Sequence, residues 1–212
     1  MNSPNGSSAA KSRLFDLYSR DGYVYAFLHI RWWHANLEKV AEFVPQSGTI
    51  LDLGCGYGIF SNYLALSSKE RNVIGIELSG RKLKYAKKEL PNVQFLNEDI
   101  TRLTLPPCDA ILLLDVLHHL QSFDDQEKLL SYCVKLLSPT GILLVKEIDN
   151  KPSYKFFLTQ IVDNTLYPGD RFYFRGENQF MKLLGNLDLE VKFYPIHEGK
   201  PLSHVMYVAR KK

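Results

Sequence analysis

The chain has 212 residues, 45% hydrophobic and 23% charged, the balance of a globular protein rather than a disordered, collagenous or low-complexity one. Its longest uncharged apolar run, residues 23–28, is far short of the ~18 residues that suggest a membrane-spanning helix. Twenty-six Lys and Arg against 23 Asp and Glu leave +3, without the clustered excess of a nucleic-acid surface.

Residues 1–10 are small and polar and are expected to form a disordered tail, leaving 11–212 as a single domain. Residues 11–45 mix aromatics (Phe15, Tyr18, Tyr25, Phe27, Trp32, Trp33) with Arg13, Arg20 and Arg31, and read as a helical N-terminal cover. From Ile30 onward, Trp33, Leu37, Val40, Ala41 and Val44 recur at helical spacing and predict one helix, inward on those residues and stopped by Pro45.

A regular alternation follows. Apolar runs at 49–53, 73–77, 93–96, 109–115 and 142–148 predict five strands, and helical patterns at 60–66, 79–90 and 124–137 lie between them. Ser79 is placed to cap the second of these helices, and residues 138–141 to turn the chain into the fifth strand. The run 109–115 is the most apolar, as expected where helices cover both sheet faces. Beyond it, residues 150–175 form a longer, lid-like insertion with a helix over 154–166, followed by a short helix over 177–184. Two last strands, 189–194 and 204–208, stand too close in sequence for a parallel crossover and should pair antiparallel. The fold class is therefore α/β: a Rossmann-like, doubly wound, mainly parallel seven-stranded sheet with a terminal antiparallel pair.

The chemistry concentrates at strand ends. Gly54, Gly56 and Gly58 follow the first strand directly and open a helix, a turn that lets a ligand approach the main chain. The spacing differs from the dinucleotide fingerprint, and Asp52 just before it suits a cationic amine better than pyrophosphate. Glu77 ends the second strand about 20 residues further on, where such folds place a carboxylate for ribose hydroxyls. Asp99 follows the third strand and Asp115 the fourth, so four acids should meet at one crevice. The three cysteines (Cys55, Cys108, Cys133) show no metal-ligand spacing; no metal is expected, and an odd count suits a reducing cytoplasm.

The stretches LDLGCGYG (51–58), VIGIELS (73–79), NEDI (97–100), LDVLHHL (114–120) and LSPTGI (137–142) resemble the class I S-adenosylmethionine-dependent methyltransferases. The resemblance implies S-adenosylmethionine as cofactor, with Gly54, Cys55, Gly56 and Gly58 against its methionine part and Asp52 toward its amino end. It implies Glu77 on the ribose, Leu78 and the Ile100 backbone beside the adenine, Asp99 on the adenine amino group, and Asp115 along the methionine side. The LDVLHHL stretch is similar to the branch that acts on small molecules, quinones and lipids, and no Asn/Asp-Pro-Pro-Tyr/Phe motif follows the fourth strand.

His118 or His119 is the candidate general base, with Glu147 and Asp149 behind them; Arg171 and Arg175 are candidates to pair with an acidic group on the acceptor. The expected function is methyl transfer to a small apolar, aromatic or lipid-like acceptor. The alternatives are an RNA or protein methyltransferase, or a non-catalytic cofactor-binding module. No nucleic-acid partner is expected. The N-terminal mixture of Arg, Trp and Tyr also suits peripheral membrane contact, second to a buried cover.

Overall fold

In the computed structural model, which describes residues 4–102, 104–166 and 168–212, the alternation of apolar runs becomes seven strands among those residues. They are β1 (Gly48–Leu53), β2 (Arg71–Ile76), β3 (Val93–Leu96), β4 (Cys108–Leu114), β5 (Leu137–Ile148), β6 (Leu189–Pro195) and β7 (His204–Lys211). One sheet holds them in the order β3-β2-β1-β4-β5-β7-β6. The first five run parallel, and β7 lies antiparallel between β5 and β6. The helices are α1 (Pro4–Tyr18), α2 (Tyr23–His34), α3 (Leu37–Ala41), α4 (Ile59–Ser67), α5 (Gly80–Ala86), α6 (Phe123–Leu136), α7 (Ser153–Leu166) and α8 (Glu177–Asn186).

Alternation along the strands divides the core in two. Ile50, Val73, Leu112 and Leu144 face α1–α4, through Leu14, Leu28, Val40 and Leu64. Leu51, Ile74, Ile111 and Leu143 face α6 and α8, through Leu129, Leu130, Cys133, Phe180 and Leu184. Apolar side chains on both faces explain the near-continuous apolar runs of the central strands. Residues 138–141 are the predicted turn in another form. Cys108 pairs with Leu137 and Ala110 with Ile142, so these residues bulge out of register within β5.

Three expectations are corrected. Residues 4–10 are helical rather than a disordered tail: Ala10 is buried and Ser7 Oγ lies 2.8 Å from Tyr63 Oη, so α1 has a surface to pack on. Residues 1–3 lie outside the described residues. The single helix expected from Ile30 to Val44 is broken, because Asn36 takes φ 51° and separates α2 from α3. Leu37, Val40 and Ala41 stay buried, but Ile30 and Trp33 turn outward, and Val24, Leu28 and Trp32 pack instead. Finally, α5 starts on its Ser79 cap as predicted but stops at Ala86, four residues early, with Lys87 extended.

Candidate active site

A cavity of about 490 Å³ lies beyond the carboxyl ends of the central strands, where ligands of open α/β sheets bind. All four strand-end acids, Asp52, Glu77, Asp99 and Asp115, line it. So do Gly54, Cys55 and Gly56, with Leu78 and Ile100 at the same end and His118 and His119 beside Asp115. Helix α2 contributes Phe27, Arg31 and His34 from one face, and α7 contributes Thr159, Val162 and Asp163. The aromatic N-terminal segment and the insertion after β5 thus both cover the site.

The three glycines have separate tasks. Gly54 (φ 76°) packs under Val116: a Cβ there would meet Val116 Cγ2 at 2.6 Å. Gly58 (φ 68°) does not line the cavity, contrary to its expected place against a ligand; its Cβ would strike Ala86 and Phe95 at 2.6 and 2.8 Å. Gly56 alone opens to space, with nothing within 4 Å of a Cβ. Glu77 ties this turn to the next strand end by accepting from Gly56 N (3.0 Å) and Ser79 N (2.8 Å). Each carboxylate oxygen has a second lone pair for a ligand hydroxyl. Asp52 accepts from Ser61 Oγ at 2.5 Å, and burial raises its pKa to about 6. Asp99 is held below the usual carboxylate range by hydrogen bonds from the Thr101 side chain and backbone.

Asp115 carries more than its sequence position suggested. Its φ is +60°, and its carboxylate sits among Lys146 Nζ (2.7 Å to both oxygens), Arg31 Nη1 (2.8 Å) and His204 Nε2 (3.6 Å). Burial opposes its ionisation, yet the Lys146 and Arg31 cations hold its pKa well below normal.

His118 and His119 form a short 3-10 turn, and their environments differ. His118 Nδ1 lies 2.5 Å from Glu147 Oε2, and the other Glu147 oxygen accepts from the backbone of Val116 (3.0 Å) and Leu117 (2.7 Å). A carboxylate only accepts, so Nδ1 carries the proton and Nε2 is left toward the cavity wall, 4.0 Å from Asp163 Oδ2. Burial opposes protonation of His118, but Glu147 outweighs it and the pKa is raised. His119 is driven the other way, to about 3, by burial and by His118. Glu147 is fully engaged as an anchor and is not itself placed as a base. Asp149 accepts from Glu177 N at 3.0 Å at the start of α8 and lies away from the cavity lining.

Arg171 and Arg175 do not line the cavity. Arg171 is exposed, and Arg175 is spent on Gln126 Oε1 (2.8 Å), Glu127 Oε1 (2.8 Å) and Phe123 O (3.2 Å). Their segment buttresses His118 instead. Phe174 stacks on its ring at 5.1 Å, and Tyr173 N donates to His118 O at 2.9 Å. Sequence reasoning missed Asp163 and the partners of Asp115. The available signals were helical spacing: Phe27, Arg31 and His34 share a face of α2, and Asp163 is the single acid of α7.

Comparison with known proteins gives likenesses in sequence and in fold. Residues 51–145 match the model of a methyltransferase domain. Over 116 residues the chain is 33% identical to a trans-aconitate 2-methyltransferase of Paracidovorax citrulli, covering 53% of this chain and 45% of that one. Over 166 residues it is 26% identical to a ubiquinone biosynthesis O-methyltransferase of Psychrobacter arcticus, covering 74% and 61%. The chain thus spans about half the length of these relatives. The fold is that of the magnesium protoporphyrin IX methyltransferase of Synechocystis (TM-score 0.69, 17% identity, 95% of this chain and all of that one). It is also that of a mitomycin 7-O-methyltransferase (TM-score 0.70, 21% identity, 94% and 60%). Residues 51–145 are thus similar to methyltransferase domains, and the fold is that of S-adenosylmethionine-dependent methyltransferases.

Proposed function

We propose that this chain transfers the methyl group of S-adenosylmethionine to a small apolar, aromatic or lipid-like acceptor, with His118 as general base. The observation that carries the reading is the buried His118–Glu147 pair at the wall of the strand-end cavity. The open space at Gly56 and the ring of Glu77, Leu78, Asp99 and Ile100 fit the cofactor. In this reading Glu77 takes the ribose hydroxyls, Leu78 and Ile100 flank the adenine and Asp99 accepts from its amino group. Gly54, Cys55 and Gly56 give the methionine part main-chain access. Asp52 and Asp115 face that part as well. Bound there, S-adenosylmethionine supplies an electrophilic sulfonium methyl.

The chain's own work is alignment, exclusion of water and removal of one proton. Phe27 and Val162 wall the cavity from the two cover helices, and placement of this kind is worth ~7–11 kcal/mol in favourable cases. Glu147 fixes the ring so that Nε2 accepts the proton of an acceptor hydroxyl, the Nδ1 proton staying on the carboxylate side. A volume of 490 Å³ lies within the ~300–1,000 Å³ of small-molecule sites. The small-molecule acceptors named for the two relatives support the same substrate class.

The test combines calorimetry with a methyl-transfer screen over small phenols, hydroxy acids and lipid extracts. S-adenosylmethionine should bind to the wild type and to His118→Asn alike, whereas turnover should fall by roughly 10²–10⁴ in the variant, the usual contribution of a general base. Wild-type turnover by His118→Asn would remove His118 from the chemistry, and no cofactor binding would remove the whole reading.

A further inference from the structure

The outer surfaces of the two cover helices carry a feature that methyl transfer does not use. On α7, Tyr154, Phe157, Leu158 and Ile161 are 69%, 64%, 41% and 48% exposed. Their i, i+3, i+4, i+7 spacing puts them on one face, opposite the residues that line the cavity. On α2, Ile30 and Trp33 are 61% and 55% exposed while Arg31 and His34 line the cavity. The turn before β7 joins the two surfaces: Lys155 Nζ of α7 donates to His197 O (2.7 Å), and Lys200 Nζ sits 5.2 Å from the Trp33 ring centre. Single exposed apolar residues are ordinary, but a cluster of six on the elements that close a cavity marks a contact surface.

Charge identifies the partner. Helix α2 has no acidic residue, and the one acid of α7, Asp163, lines the cavity. Lys155 and Lys200 lie between the two apolar faces, and exposed Lys151 and Arg171 stand in the segments before and after α7, against Glu198 and Asp170. Lysine is depleted from the core of protein–protein interfaces. Lysine beside Trp and Tyr on an amphipathic helix instead suits the headgroup region of a bilayer, where anionic lipid attracts the cations and the rings enter the acyl boundary. We propose that these faces of α2 and α7 dock the cover of the cavity on an anionic lipid surface. The proposal is independent of which acceptor is methylated.

The chain supplies its own probe. Of its two tryptophans, Trp32 is buried and Trp33 exposed, so a blue shift of emission on adding vesicles reports on Trp33. The full chain is mixed with vesicles of phosphatidylcholine alone, or with about one third phosphatidylglycerol, and followed by fluorescence and co-sedimentation. Binding and a blue shift are expected with the anionic vesicles, weakening as salt rises. Phe157→Ser with Ile161→Ser should reduce partitioning at least about tenfold while leaving thermal unfolding and S-adenosylmethionine affinity unchanged, since neither side chain is buried or lines the cavity. A chain that stays in the supernatant would overturn the proposal. So would binding that the double variant leaves intact, or light scattering that shows a dimer dissolved by the same substitutions, which would make the occupant a second copy.

Discussion

At the scale of single residues, the glycine turn separates two kinds of constraint that look identical in sequence. Gly56 faces open space and Gly58 faces Ala86 and Phe95, although both have positive φ. Gly56→Val should leave a folded protein, at a strain cost of ~1–2 kcal/mol for the left-handed backbone, but abolish S-adenosylmethionine binding. Gly58→Ala should lower the melting temperature more, because its Cβ would meet side chains at 2.6–2.9 Å. Calorimetry and thermal unfolding on the two variants check this; a Gly56→Val protein that binds cofactor normally would place the ligand elsewhere. His118 gives a pH dependence with a definite sign. Its raised pKa means that the base form is lost as pH falls, so kcat/KM should decline toward acid with a midpoint above the ordinary ~6.5. Glu147→Gln should move that limb to lower pH. Stability runs the other way: a histidine whose pKa is raised by folding stabilises most below its unfolded pKa, and that contribution fades as pH rises through the folded value.

At the scale of elements, the strands and most helices were legible because their signals are local. Period-two burial, the Ser79 cap and the short gap before β7 each act within a few residues. The break between α2 and α3 was not legible. Asn36 is neither Gly nor Pro, and the apolar spacing continues across it, so the pattern reads as one helix. What makes the break is tertiary: Asn36 Nδ2 donates to Ile196 O at 3.3 Å, just past the end of edge strand β6. The consequence is functional, since it sets which face of α2 meets the cavity. Asn tolerates the left-handed region where most residues pay ~1–2 kcal/mol. Asn36→Ala should therefore destabilise by about that amount in denaturant titrations, and Asn36→Gly by less. Equal losses in the two variants would assign the effect to the hydrogen bond rather than to the backbone. Asp163 was hidden for a similar reason, because its meaning depends on α7 folding back over His118, with α6 and β5 between them in the chain.

At the scale of the whole molecule, the mainly parallel sheet with its antiparallel end and the meeting of four strand-end acids at one cavity could be read in advance, whereas the joint between cover and sheet could not. That joint is Asp115. Arg31 reaches it from α2, Lys146 from β5 and His204 from β7, so one carboxylate just past the end of β4 ties the cover helix α2 to the middle of the sheet. Lys146 has no exposed surface, and burial brings its pKa down to about 8 even with Asp115 beside it. Removing the carboxylate leaves a buried ammonium without its counter-charge, which costs about 3–5 kcal/mol where one partner of a buried pair is deleted. Asp115→Asn should show that loss at neutral pH. The acid dependence then discriminates between charge and packing. Asp115 is depressed by folding, so its stabilisation is present above its unfolded pKa of ~3.9 and is lost as pH falls through and below that value. Wild-type stability should thus drop steeply in acid, and Asp115→Asn, having lost the term already, should follow a shallower limb. If the two profiles are parallel, the cluster stabilises through packing alone, and Arg31 would hold α2 over the cavity by its hydrogen bond to Leu114 O rather than by charge.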